Sequence, residues 1–118
     1  MDKKILIVDD SAFMRKVLRD IFESVGYTNF IEAGNGHEAV EKIKTDHPDF
    51  VFLDIIMPEF SGMDVLREIG KETKVIIVSA VGQQELIDEA KSLGALDYIV
   101  KPFDRELVLE KVTKYFAQ

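Results

Sequence analysis

The sequence predicts an α/β fold, a single doubly wound five-stranded parallel sheet with five helices packed on its two faces. Two observations carry the prediction. First, short apolar runs recur and each stops on a polar residue: Phe50-Val51-Phe52-Leu53 before Asp54, Ile5-Leu6-Ile7-Val8 before Asp9-Asp10, Val75-Ile76-Ile77-Val78 before Ser79, and Tyr98-Ile99-Val100 before Lys101. Runs that are apolar throughout mark strands buried on both faces, which is the condition of a parallel sheet. Second, segments with helical apolar spacing alternate with these runs, which implies right-handed crossovers and helices on both sides.

The elements follow in order. After the first strand, Ser11 is placed to cap a helix carrying Met14, Val17, Leu18, Ile21, Phe22 and Val25, with Gly26 as its stop. Asn29-Phe30-Ile31 is a weaker second strand, and Ala33-Gly34-Asn35-Gly36 reads as a turn. A short helix with Ala39, Val40 and Ile43 on one face is broken by His47-Pro48-Asp49. Past Asp54, the stretch Met57 to Gly62 is an irregular loop. A third helix carries Val65, Leu66 and Ile69 and ends at Gly70. The fourth helix, over 83–93, has a modest apolar face and is closed by Gly94. Asp104 caps the last helix, and Phe103 with Val108 has the spacing of a hydrophobic staple. Its stripe is Val108, Val112, Tyr115 and Phe116.

The 118 residues make one domain, 1–118, large enough to bury a core without staples. No output domain or linker is read from the sequence, so any signal is expected to pass to a separate partner. A net charge of −7 argues against a nucleic-acid surface, which needs a basic face. The absence of cysteine excludes a disulfide framework and a thiolate metal site, and fits a cytoplasmic protein. The apolar run before Asp9, Ile5 to Val8, is only four residues long, too short for a signal peptide or membrane insertion.

In an open α/β sheet, ligands bind outside the carboxyl ends of the strands. Asp9, Asp10, Asp54, Ser79 and Lys101 are therefore expected to meet in one pocket. Carboxylates brought together repel, so a proton or a cation belongs among them. Oxygen donors without His or Cys suit a hard ion, and Mg²⁺ is the expected one. Because Asp9 and Asp10 are adjacent, their side chains diverge, so one should ligate directly and the other through water. Lys101 offers a mobile charge for Asp54 or for a phosphoryl oxygen, and the Ser79 hydroxyl can bond another. Together these groups suit an aspartyl phosphate with Asp54 as nucleophile. His37 and His47 lack a ligand partner at useful spacing. Phe13, Met14 and Phe103 read as packing walls beside the site.

Val8-Asp9-Asp10-Ser11, Asp54 through Gly62, Ser79-Ala80 and Lys101-Pro102-Phe103 resemble the receiver domain of two-component response regulators, along the whole chain and in order. The stretch Asp9 through Arg15 is most similar to the chemotaxis members of that family. The resemblance implies the strand order 2-1-3-4-5 and phosphorylation of Asp54 by the phosphohistidine of a CheA-like sensor histidine kinase. It further implies Mg²⁺ held by Asp10, Asp54 and the backbone carbonyl of Ile56, with Asp9 acting through water. Ser79 would be the switch hydroxyl, Tyr98 a switch aromatic that swings inward, Lys101 the pairing cation, and Lys101-Pro102 a cis peptide. The fourth helix, fifth strand and fifth helix would form the face read by a flagellar motor switch or another output protein, and a phosphatase is a further partner. Such a protein is a signalling phosphoacceptor and not a turnover enzyme. Ile56 and Val81 depart from the pattern: these positions, often polar in the family, flank the path of the hydrolytic water, so they bear on the lifetime of the phosphorylated state.

Rival readings are a phosphorelay intermediate or phosphate sink within the same family and, outside it, an Asp-nucleophile Mg²⁺ phosphohydrolase or a constitutive interaction module. The phosphohydrolases place two aspartates one residue apart after the first strand, whereas here they are adjacent. A flavin or nucleotide module would need a Gly- or Ser/Thr-rich phosphate loop after that strand.

Overall fold

The computed structural model describes residues 3–69 and 71–116. Strands and helices alternate along the chain: β1 (Lys4–Val8), α1 (Ala12–Glu23), β2 (Asn29–Ala33), α2 (Gly36–Asp46), β3 (Phe50–Leu53), α3 (Gly62–Ile69), β4 (Lys74–Ser79), α4 (Gln84–Ser92), β5 (Asp97–Val100) and α5 (Arg105–Phe116). All pairings are parallel and the order is β2-β1-β3-β4-β5, as the resemblance implied.

The apolar runs alternate between two cores, because successive side chains of a strand point to opposite faces. Leu6, Val8, Val51, Leu53, Val75 and Ile77 pack beneath residues of α2, α3 and α4. Ile5, Ile7, Phe50, Phe52, Ile76 and Val78 pack beneath α1 and α5. On the second face Phe116 of α5 lies against Phe50 (ring centroids 4.2 Å apart), and Phe22 of α1 lies against Phe52 (4.6 Å). Burying a ring of this size stabilises by about 2–3 kcal/mol, so α1 and α5 are anchored chiefly by these aromatics.

Local signals set most element ends. Ser11 caps α1, its Oγ accepting from the Met14 amide at 3.2 Å. Asn35 caps α2 in the same way through Glu38 (2.8 Å). Gly36, expected in a turn, is instead the first residue of α2, where a Cβ would lie 2.2 Å from the Phe60 carbonyl oxygen. His47 ends α2 in the left-handed conformation (φ 48°), which explains the break before Pro48. Ser61 and Asp64 bond reciprocally at the start of α3, an arrangement the sequence reading did not single out. The Ser61 amide and hydroxyl hold the Asp64 carboxyl below the usual carboxylate range. The expected stop of α3 at Gly70 lies outside the described residues. Of α4 only Ala90 is fully buried, and Gln83 makes no side-chain cap, in keeping with its modest apolar face. Among the described residues no helix is long and apolar enough to cross a membrane.

Asp104 caps α5 through the Leu107 amide at 2.7 Å. Replacing it with Ala is expected to cost about 1 kcal/mol, read as a lower urea midpoint at unchanged slope.

Candidate functional site

Strand register builds the site. Val8 is paired with Leu53, so the next residues, Asp9 and Asp54, leave adjacent strands side by side, and the Asp54 amide donates to the Val8 carbonyl at 3.0 Å. Leu53 is also paired with Ile77, which brings the end of β4 alongside. Ser79 is paired with Val100, and the Lys101 amide donates to the Ser79 carbonyl at 2.8 Å. The sheet thus brings the expected strand-end groups to one edge.

Asp9 and Asp54 are buried, whereas Asp10 is exposed at the rim. Oxygen atoms of the three carboxylates lie within 4.8 Å of one another. Lys101 bridges two of them, its Nζ 2.7 Å from Asp9 Oδ2 and 3.2 Å from Asp54 Oδ2. The closer partner is Asp9, whereas the sequence points to Asp54 as the carboxylate that pairs with the unloaded lysine. Asp9 Oδ1 accepts from the Ser11 amide (2.9 Å) and Asp54 Oδ1 from the Ile56 amide (3.2 Å). Asp9 and Asp54 are thus engaged alike, each by Lys101 and one backbone amide, whereas Asp10 stands exposed at the rim. Three carboxylates and one ammonium leave the cluster net negative, and an all-oxygen donor set of this kind fits Mg²⁺.

Burial pulls the Lys101 ammonium down, but the hydrogen bond to Asp9 and the charges of Asp54 and Asp9 outweigh it and raise its pKa above 10.5. A raised folded-state value means that the stabilisation is complete below the ordinary lysine pKa. It is lost as pH climbs through the higher folded value. The denaturation midpoint is therefore expected to fall on the alkaline side of 10.5 in the parent. A Lys101→Met variant, weaker at neutral pH, should lack that component of the fall.

Ser79 is fully buried, and its Oγ accepts from the Val81 amide at 3.3 Å. Tyr98 is buried within the first core, on edge strand β5, and its hydroxyl donates to the Val81 carbonyl. The ring is therefore packed inward. Burial pushes the Tyr98 phenol up, the Ser79 hydroxyl pulls against it, and the Asp54 charge adds to the rise. Ile56 is exposed and Val81 half-buried. Lys101-Pro102 is cis. Phe103 and Met14 are half-buried, but Phe13 is 73% exposed, so it is no packing wall: its position on α1 points to solvent.

Two residues escaped the sequence reading. Arg15 Nη1 donates to the Asp9 carbonyl at 2.6 Å, and its Nε donates to Glu32 on β2 at 2.9 Å. A single sequence carries no signal for this pair, since the contact depends on how α1 lies over the sheet.

Comparison with known proteins agrees with this geometry. The chain matches the response regulator receiver domain over residues 5–113. Chemotaxis protein CheY of Thermotoga maritima is 50% identical over 117 residues, which cover 97% of this chain and 98% of that protein. Sporulation initiation phosphotransferase F of Bacillus subtilis is 39% identical over 118 residues, covering 98% and 94%. Among solved structures, a chain of the CheX–CheY–BeF3–Mg²⁺ complex from Borrelia burgdorferi superposes with a TM-score of 0.92 at 40% identity, covering 98% of this chain and 90% of that one. Parallel strands in the order 2-1-3-4-5, an aspartate trio at their carboxyl edge with a lysine bridging two of its members, and a family match across nearly the whole sequence agree: the chain belongs to the response regulator receiver domain family and is closely related to CheY.

Proposed function

We propose that the chain is a cytoplasmic phosphoacceptor that takes a phosphoryl group on Asp54 from a sensor-kinase phosphohistidine and then binds an output partner, the motor switch of a chemotaxis system. The observation that carries this reading is the Lys101 ammonium bridging Asp9 and Asp54 beside Asp10. In the transfer, a bond forms between an Asp54 carboxylate oxygen and phosphorus as the phosphorus–nitrogen bond of the donor breaks. The electron pair of that bond stays on the leaving imidazole. Lys101, released from Asp54, offsets charge on the transferred group, and the Ser79 hydroxyl donates to one of its oxygens. Asp10, Asp54 and the Ile56 carbonyl, with Asp9 through water, would hold Mg²⁺, which would supply further charge compensation.

Drawing Ser79 toward the phosphoryl group would change what the β4–α4 loop and Tyr98 contact, which gives phosphate a differential hold on two conformers. The readout face in this account is α4, β5 and α5. No chemistry beyond the domain's own phosphorylation and dephosphorylation is assigned.

Intact mass after exposure to acetyl phosphate tests the reading. One added phosphoryl group that requires Mg²⁺ is expected; no addition under any condition would leave a constitutive interaction module as the better account. The similarity to a sporulation phosphotransferase favours a second reading, a phosphorelay intermediate. Onward transfer to a histidine protein, without phosphorylation-enhanced binding to a motor-switch component, would select it.

A further inference from the structure

A polar network ties α1 to β2 at the turn that carries the acidic pair. Ile7 is paired with Glu32, which places the Glu32 side chain on the α1 side of the sheet. There Glu32 Oε1 accepts from Arg15 Nε at 2.9 Å and Oε2 from Arg19 Nη1 at 3.1 Å. Lys42, from α2, donates to the Glu32 backbone carbonyl. Arg15, only 19% exposed, uses the rest of its fork on the Asp9 carbonyl at 2.6 Å.

That carbonyl belongs to the planar peptide joining Asp9 to Asp10, so fixing it fixes the plane from which Asp10 departs. The Asp9 amide is held as well, donating to the Ala33 carbonyl at 3.2 Å. Asp9 also has its carboxylate anchored by Lys101 and the Ser11 amide. Asp10 is exposed, and its aim depends on the backbone that carries it. A planar guanidinium spans the two acceptors, Glu32 and the Asp9 carbonyl; an ammonium is a point charge that cannot reproduce the fork.

We infer that Arg15, held in place by Glu32, is a positioning residue that aims the Asp10 carboxylate for the divalent cation. The inference rests on the receiver reading above, and the two fail differently.

Mg²⁺ affinity measured by calorimetry on the folded parent and on Arg15→Lys isolates position from charge, because the net charge is unchanged. Arg15→Lys is expected to weaken Mg²⁺ binding about 10-fold, as loss of a group that orients a metal ligand does. Its Asp10 amide, followed by ¹⁵N relaxation without metal, should become more mobile. Arg19→Lys touches the same Glu32 but not Asp9, and should bind Mg²⁺ as the parent does. Arg15→Ala also removes a cation near the carboxylates, which by itself favours Mg²⁺, so it should weaken binding less than Arg15→Lys.

Unchanged affinity in Arg15→Lys overturns the inference. An equal loss in Arg19→Lys also overturns it, showing that the network only fastens α1 to β2. Tighter binding by Arg15→Ala with no change in Arg15→Lys shows that charge alone acts, and overturns it too. A parent that binds no Mg²⁺ at all overturns the receiver reading itself.

Discussion

Asp54→Asn is expected to take up no phosphoryl group from acetyl phosphate, with or without Mg²⁺, while the parent gains one. The amide lacks the nucleophilic carboxylate, and no other described carboxylate shares its position. Asp9 is held more closely by Lys101 (2.7 Å) than Asp54 is (3.2 Å), and Asp10 is exposed at the rim. The same substitution should raise stability at neutral pH. It removes one of three carboxylates whose oxygens lie within 4.8 Å, while the closer pair, Lys101 with Asp9 at 2.7 Å, is kept. Relief of like-charge repulsion in partly screened surroundings amounts to about 1 kcal/mol. Saturating Mg²⁺ should close the gap, since the cation stabilises the parent by mass action and has fewer ligands in the variant. Intact mass and urea denaturation with and without Mg²⁺ check both parts. Residual phosphorylation of the variant would move the acceptor elsewhere.

Gly62→Ala should be the most disruptive single-methyl change near the site. A Cβ there would sit 2.2 Å from the Asp54 carbonyl oxygen and 2.7 Å from the Ile55 Cα. Both obstacles are backbone, part of the stretch that leaves β3 with the acceptor, and the Gly62 amide already donates to the Ile55 carbonyl at 2.8 Å. Side chains can rotate away from an added methyl, but this stretch can yield only by moving Asp54. A cost of about 3 kcal/mol, at the upper end for overpacking, is expected, together with slower phosphorylation. Gly82→Ala is the matched control, because the atoms nearest its Cβ are those of the Val100 side chain, the methyl groups at 3.1 and 3.3 Å, and Val100 is 39% exposed. Val100 has room to move, so that change should cost under about 1 kcal/mol. Equal losses in the two variants, read from denaturant midpoints, would refute the distinction between backbone and side-chain obstruction.

The readable part of this protein was what local chemistry dictates. Four apolar runs ending on Asp9, Asp54, Ser79 and Lys101 specified strands, their common polarity and a shared edge, because a parallel sheet sends all carboxyl ends one way. Ser11 and Asp104 announced their helices, since a capping oxygen acts within a few residues of its own position. The chemistry of the site followed from residue types: oxygen donors for a hard ion, a carboxylate nucleophile, and an ammonium and a hydroxyl for phosphoryl oxygens.

What required the tertiary structure were contacts that join elements distant in sequence. That Lys101 sits nearer Asp9 than Asp54 depends on how the loop after β5 crosses the sheet edge. That Phe13 faces solvent depends on the rotation of α1 about its axis, which Phe22 sets by packing on Phe52. The placement of Gly36 under Phe60, the inward ring of Tyr98 and the hold of Arg15 on the Asp9 carbonyl have the same origin. Each rests on the packing of two elements, and no periodicity or motif within either one encodes where the other will lie.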